Sequence, residues 1–465
     1  IAMSYEINGV LATSVIIVII LWFASTIWAL ADAMRTKKSV KWLIISLVPL
    51  AGPLYYYISL GGSKRSRLEE LVRKRWPVIA IIFIMLLGIY VRLLDYRWVY
   101  LRNIDSYTFY RQMGEIINNN GVLPKWDTYV LAPTGSLAPP GIQPFVYLGA
   151  YSYMFVNFFV NLSLLQFLIY FPPFMASLAA IPLYFIGKML YDRKAGVLAA
   201  FYFVFDIGNM SRTLGGDPDS DASIFLISMA AIAMAIFVYK LAEKENMFSK
   251  KLVLSTILAG IVMFVWFNTW AGYWYVFWMF VGIIALRTIF NIVESKDLAK
   301  GLEKSKYIIV SLVIYMAIAL AFASIAFNTL GPLTSAISGP FDFQAIKGED
   351  NQFPNVYVSV AELQQSGGPK EIIERTSVLG GPAILISPFF LFIYALLYLF
   401  YSYYKKRQHI DTILLLLVWF VGPFLATMIA VRFSTLFSAP LAIGSAILLS
   451  KLIRMASGED KSFGD

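Results

Sequence analysis

Eleven apolar runs constrain this chain more than any other feature. They lie near 8–31, 76–96, 166–187, 195–210, 222–241, 252–268, 270–288, 305–327, 377–402, 411–430 and 433–452. A helix rises about 1.5 Å per residue, so about 20 apolar residues cross a hydrocarbon layer about 30 Å thick. The shorter runs span only if flanking residues extend them. The 465 residues are enough for two or three soluble domains, but 59% are hydrophobic and only 14% charged. A soluble chain so poor in charge could not cover its own core. The sequence predicts an all-α, polytopic helical membrane protein with about 11 transmembrane helices.

Charge sets the expected orientation. The net charge of +10 comes from 38 Lys and Arg against 28 Asp and Glu. These basic residues fall in short links between apolar runs, at 64–75, 188–194, 240–251, 287–306 and 404–407. That is the positive-inside pattern, not a nucleic-acid footprint, so no nucleic-acid partner is expected. With those links cytoplasmic, alternation puts 97–165, 211–221 and 328–376 outside. The run 143–160 is apolar but would break the alternation as a span. It is expected to be a helix along the interface, with Tyr147, Tyr151 and Tyr153 near headgroup level.

The first 60 residues hold basic segments on both sides of Leu47-Val48-Pro49-Leu50-Ala51-Gly52-Pro53-Leu54. A re-entrant hairpin keeps both segments on one side. The expected organisation is an N-terminal membrane segment over 1–62, a transmembrane domain over 63–455 and a tail over 456–465.

The chain has no Cys, which removes thiolate metal sites and Cys nucleophiles. Its single His, His409, follows Lys405-Lys406-Arg407-Gln408 and is expected in a solvated cytoplasmic loop. Any metal site must therefore use oxygen ligands.

The external segments carry the unusual residues. The first begins Asn103-Ile104-Asp105-Ser106-Tyr107-Thr108-Phe109-Tyr110-Arg111. The second reads Ser211-Arg212-Thr213-Leu214-Gly215-Gly216-Asp217-Pro218-Asp219-Ser220-Asp221 and opens an apolar helix. Two like charges 4 Å apart repel by about 4 kcal/mol at an effective dielectric near 20. A divalent cation reverses that sign, and the D-x-D spacing lets Asp219 and Asp221 reach one ion. Acids that simply open a helix are also favoured by its dipole. The third holds Tyr357-Val358-Ser359-Val360-Ala361-Glu362-Leu363-Gln364 within a stretch too long for an ordinary connection. Arg432 lies where a span re-enters from outside, and an Arg at membrane depth needs a counter-ion or a phosphate.

Together these motifs resemble the oligosaccharyltransferase catalytic-subunit family, within the polytopic lipid-phosphate-sugar glycosyltransferases of GT-C type. The family's Asp-Pro-Tyr-Phe-Asn-Tyr-Arg resembles 105–111, with Asp105, Tyr107, Tyr110 and Arg111 in register. Its Ser-Arg, Gly, Asp-x-(Asp/Glu/His) spacing is similar to Arg212, Gly216, Asp219 and Asp221. Its Ser-Val-Ser-Glu or Thr-Ile-x-Glu pattern resembles Ser359-Val360-Ala361-Glu362. Trp270-Ala271-Gly272-Tyr273 and Arg432-Phe433 match two further motifs, and the resemblance covers about 76–452. The family's Trp-Trp-Asp-Tyr-Gly motif, in a soluble external domain that reads the acceptor Ser or Thr, has no counterpart here. Alternation ends the chain inside, so a truncated chain or an isolated membrane module is expected.

The resemblance implies metal-dependent, inverting attack by an acceptor Asn amide on a lipid-linked sugar, releasing lipid phosphate or diphosphate. Its substrates would be a polyprenyl or dolichyl (di)phosphate-linked oligosaccharide and a polypeptide with an Asn-X-Ser/Thr sequon. Asp105 and Glu362 would bind the amide. Asp105, Asp219 and Asp221 would hold Mg2+ or Mn2+. Arg212 and Arg432 would clamp donor phosphate, and Tyr107, Arg111 and Tyr273 would contact acceptor or donor. The site would face the extracytoplasmic side of a prokaryotic, archaeal, plasma membrane in preference to the endoplasmic reticulum. The alternatives are a related glycosyltransferase with a hydroxyl acceptor, an inactive module, or a transporter. No internal repeat supports the last.

Overall fold

The structure is a computed structural model that describes residues 62–94, 96–97, 99–137, 143–244, 249–270, 272–327, 331, 334–339, 341, 364–377 and 381–460. The expected span at 8–31, the re-entrant hairpin and Glu362 lie outside these residues. Two compact units divide the chain at 79/80. The described part of the first is the start of helix α1 (Gly62–Leu93).

The second unit is helical, as the apolar runs require. After α1 come α2 (Ile104–Asn118), a two-stranded ribbon of β1 (Trp126–Asp127) and β2 (Ser136–Leu137), and α3 (Pro144–Phe159). The bundle continues with α4 (Leu164–Leu178), α5 (Ala180–Leu190), α6 (Arg193–Val204) and α7 (Ile207–Ser211). Then follow α8 (Asp221–Ala242), α9 (Lys250–Phe267), α10 (Trp274–Ser295) and α11 (Leu298–Phe327). The last are α12 (Pro369–Arg375), α13 (Pro388–Lys406), α14 (Ile410–Ile429) and α15 (Ser438–Ala456), with 3-10 turns at Gly381–Ile386 and Val431–Phe437.

Among the described residues, eight helices are long and apolar enough to cross a membrane. The polytopic helical class stands, and of the ten expected spans that fall among the described residues, eight are such helices. The run at 195–210 breaks because the Asp206 carboxylate takes the Asn209 N–H at 3.1 Å, capping α7 separately. That leaves α6 with 12 residues, a rise of about 18 Å. The run at 377–402 becomes a helix only from Pro388, which suits a first helical position. The five tyrosines of helix α13 dilute its hydropathy.

Close helix contacts rest on small residues. A Cβ on Gly196 of α6 would stand 2.5 Å from the Tyr184 carbonyl of α5, so only glycine permits that approach. Helix α8 is the centre of the bundle, buried along most of its length. The first loop has its own small core, where Met113 and Ile116 of α2 and Phe145, Val146 and Ala150 of α3 pack on Leu168 and Phe171 of α4. Helix α3 is where 143–160 was expected to be helical, and its Phe155, Phe158 and Phe159 are exposed.

At the opposite end of α8 from Asp221, charges lock the helices. The Tyr239 hydroxyl donates to Asp411 at 2.6 Å, and Lys240 and Arg287 approach the same carboxylate at 3.3 and 3.2 Å. Lys451, fully buried, pairs with Asp460 at 2.9 Å. His409 is not simply solvated: its ring packs on Tyr191 with centroids 5.3 Å apart, and burial lowers its pKa.

Candidate functional site

The acidic segment is threaded into place by its backbone. Gly215 N–H donates to the Arg92 carbonyl at 3.0 Å and Gly216 N–H to the Ile169 carbonyl at 3.1 Å. Arg102 returns two bonds, from its N–H to the Gly216 carbonyl at 2.7 Å and from Nε to the Gly215 carbonyl at 3.1 Å. Gly216 has φ +76°, and a Cβ there would lie 2.3 Å from the Tyr96 ring. Two separate demands, a left-handed backbone and a close ring, therefore fix this residue as glycine.

This anchoring brings two distant motifs together. Ser106, next to Asp105 in the first turn of α2, donates to Asp217 at 3.1 Å. The N-cap of that helix is Asn103, whose side chain accepts the Asp105 N–H at 3.4 Å. Burial raises the pKa of Asp217, the Ser106 bond opposes that rise, and the charge on Asp219 adds to it. Asp219 accepts from the N–H and hydroxyl of Ser220, and Asp105 is exposed.

Asp221 opens α8 and is buried. Arg212 approaches it at 4.0 Å from one side of the loop, and Arg432 at 3.7 Å from the turn before α15. Three of the five residues singled out for phosphate and metal chemistry thus form one Arg–Asp–Arg group. The turn carrying Arg432 is pinned to the segment that leads into α12, where Val431 N–H donates to the Gln364 carbonyl at 3.0 Å.

Beside this turn opens an apolar cavity of about 350 Å³ between α10 and α14. Trp270, Trp274, Trp278, Val421, Gly422 and Phe433 are among its lining residues. Phe433 follows Arg432 directly in the chain, so the charged turn and the cavity adjoin.

Other expected residues are placed differently. Arg111 is committed within its own loop: it forks onto Asp127 at 2.9 and 2.6 Å and meets Glu115 at 2.6 Å. Tyr273 is buried against Phe267, ring centroids 4.6 Å apart, and its carbonyl accepts from Trp266 at 3.2 Å. Tyr107 is 40% exposed and open to a ligand. Among the described residues, no three Asp, Glu or His side chains gather closely enough to share a cation. Asp105, Asp219 and Asp221 are not gathered into such a group, and Asp221 is flanked by two guanidinium groups. Their carboxylate oxygens are the kind of donor that Mg2+ or Mn2+ takes.

Sequence reasoning passed over Arg92 and Asp206, both inside apolar runs. An ionisable residue within a span was the signal available.

A family model described as oligosaccharyl transferase STT3, N-terminal, matches residues 77–459. A dolichyl-phosphooligosaccharide-protein glycotransferase of Methanocaldococcus jannaschii is 28% identical over 276 residues, covering 56% of this chain and 28% of that protein. Its counterpart in Methanococcus voltae is 21% identical over 384 residues, covering 76% of this chain and 40% of its own length. The crystal structure of the Archaeoglobus fulgidus oligosaccharyltransferase tethered to an acceptor peptide with an NVT sequon superposes with TM-score 0.57 at 18% identity. It covers 85% of this chain and 52% of that one. The same organism's archaeal oligosaccharyltransferase in complex with an inhibitory peptide and a dolichol-phosphate gives TM-score 0.55 at 19% identity, covering 84% and 52%. The chain thus spans about half or less of the length of these relatives, and the structural likeness shows a shared fold. With the family model matching most of its residues, the chain belongs to the STT3 oligosaccharyl transferase family.

Proposed function

We propose that this chain forms the membrane-embedded part of an oligosaccharyltransferase. It moves a glycan from a polyprenyl or dolichyl (di)phosphate carrier to the Asn of an Asn-X-Ser/Thr sequon, on the extracytoplasmic side. The observation that carries this reading is the convergence of Arg212 and Arg432 on Asp221 beside an apolar cavity. A lipid-linked donor needs that pairing: cations for its phosphate and an apolar channel for its tail. A cavity of about 350 Å³ holds part of a prenyl chain.

In the reaction, the acceptor amide nitrogen forms a bond to the anomeric carbon. The bond from that carbon to phosphate oxygen breaks, and its electron pair leaves with the lipid phosphate. The amide gives up one proton, which an oxygen of the released lipid phosphate takes up. Delocalisation into the carbonyl makes that nitrogen a weak nucleophile, so the site must position it. Asp105, exposed at the start of α2, accepts a hydrogen bond from the amide, and Glu362 is assigned the same task by the motif it occupies. Arg212 and Arg432 stabilise charge as it grows on the leaving phosphate. Attack opposite the leaving group inverts the anomeric centre.

The test is incubation of the full chain, reconstituted in lipid nanodiscs, with a lipid-linked oligosaccharide and an Asn-X-Thr peptide. The expected product is an N-linked glycopeptide by mass spectrometry, lost in Asp105→Ala. Glycan on a Ser or Thr hydroxyl, or equal yield from Asp105→Ala, would overturn this assignment.

A further inference from the structure

Arg92 lies near the outer end of α1 and is completely buried. A guanidinium in that setting has no water to satisfy it, so its bonds must come from protein. Nε donates to the Thr213 hydroxyl at 2.8 Å, and one terminal nitrogen to the Val204 carbonyl at 2.7 Å and the Asn209 side chain at 3.4 Å. The other donates to the Gly88 carbonyl at 3.1 Å, within α1 itself. The backbone carbonyl of Arg92 takes the Gly215 N–H at 3.0 Å. One residue therefore grips the segment leading to the acidic loop at 204, 209, 213 and 215.

Asp206, within that gripped segment, faces the Arg92 charge. Its carboxylate also accepts the Ser438 hydroxyl at 2.5 Å. Ser438 is the first residue of α15, directly after the turn that holds Arg432. A continuous polar chain thus runs from α1 through 204–215 to the base of the Arg432 turn. None of its members touches Asp219, Asp221 or Arg432 in the hydrogen bonds it makes.

We propose that Arg92 is a positioning residue: with Asp206 and Ser438 it holds the acidic loop at a fixed separation from the turn carrying Arg432. A planar fork bonded to acceptors in different directions fixes both position and rotation, which a Lys ammonium cannot reproduce. Its importance for transfer rests on the function proposed above, but the separation itself can be measured without any turnover.

The absence of native cysteine makes that measurement direct. Nitroxides at Ser211→Cys and Ser434→Cys report the separation by pulsed electron resonance, in the reconstituted full chain. A control pair at Lys250→Cys and Lys300→Cys reports the far end of the bundle. The native background should give one narrow distance for each pair. Arg92→Met should broaden or shift the 211–434 distance and leave the control pair narrow. Arg92→Lys should give an intermediate result. Ser438→Ala keeps every Arg92 bond and removes only the last link, so it should broaden the 211–434 distance even where Arg92→Met fails to fold. An unchanged 211–434 distance in Ser438→Ala, or equal broadening of both pairs, would overturn the proposal. Loss of glycopeptide formation with unchanged distances would also count against it, whereas broadening in a chain that transfers no glycan would refute only the functional reading.

Discussion

Asp221 shows how much of one side chain's surroundings a local spacing leaves unread. Its spacing from Arg212 marked it as a site residue, and Arg212 and Arg432 do approach it at 4.0 and 3.7 Å. The spacing points to a divalent cation, and the structure adds two guanidinium groups beside the same carboxylate. Nothing in a D-x-D spacing announces those groups, because Arg432 is over two hundred residues away. If Arg432 also binds donor phosphate, Arg432→Ala should weaken binding of a polyprenyl phosphate by roughly tenfold to a hundredfold, the value of one charge-assisted bond. Equilibrium binding of a labelled polyprenyl phosphate checks this, and an unchanged Kd would remove Arg432 from the donor site. Arg111 is the converse case. Its place in the first motif was legible, but its fork onto Asp127 was not, since nothing periodic links 111 to a loop residue 16 positions later. That bond, first among several causes, holds Asp127 below its ordinary value of 3.8. A depressed carboxylate contributes stability that is complete above about pH 4 and fades as pH falls through the lowered value. Arg111→Met should destabilise the 119–137 loop by about 2 kcal/mol at neutral pH and abolish that acid-side step. Limited proteolysis of the loop between pH 3 and 7 measures both effects, and an acid step identical to wild type would contradict the assignment.

Elements were easier to foresee where hydrophobicity alone decides them. The spans at Asp221–Ala242, Lys250–Phe267 and Ile410–Ile429 lie within a few residues of their apolar runs. Where a cap or a proline intervenes, the run misleads, as at Asp206 and Pro388. The cavity between α10 and α14 was also invisible in the sequence. Its tryptophans at 270, 274 and 278 have ordinary helical spacing, and only the approach of α14 shows that they line a space instead of filling one. Gly422 lines the opposite wall, and a Cβ built there would stand 3.9 Å from the nearest atom, the Tyr275 ring. A larger side chain should therefore enter the cavity without breaking the helix pair. Gly422→Leu should raise KM for a long-chain lipid-linked donor by about tenfold, equivalent to about 1.4 kcal/mol, with little change for a short-chain analogue. Comparing the two donors under one set of conditions tests this. Equal KM changes for both would mean that the cavity does not hold the tail.

At the scale of the whole molecule, orientation is the inference that the sequence carries most cheaply, because it needs only the distribution of Lys and Arg. The links at 188–194, 240–251, 287–306 and 404–407 follow or precede the same ends of their helices. Segments 97–163 and 211–220 sit at the other ends, with Asp217 and Ser106 joining them. A helix bundle with its basic links on one face and its Arg–Asp–Arg group on the other has one favoured orientation under positive-inside sorting. On the function proposed above, that orientation puts the reaction on the extracytoplasmic side. Single cysteines at Lys125→Cys in the first loop and at Lys300→Cys and Lys405→Cys in the basic links should give a clean readout in this Cys-free chain, since all three positions are exposed. A membrane-impermeant maleimide applied to intact cells should label position 125 and spare 300 and 405. Inverted vesicles should reverse the pattern. Labelling of 125 and 300 from the same side would break the alternation between them, and with it the placement of the acidic loop outside the cell.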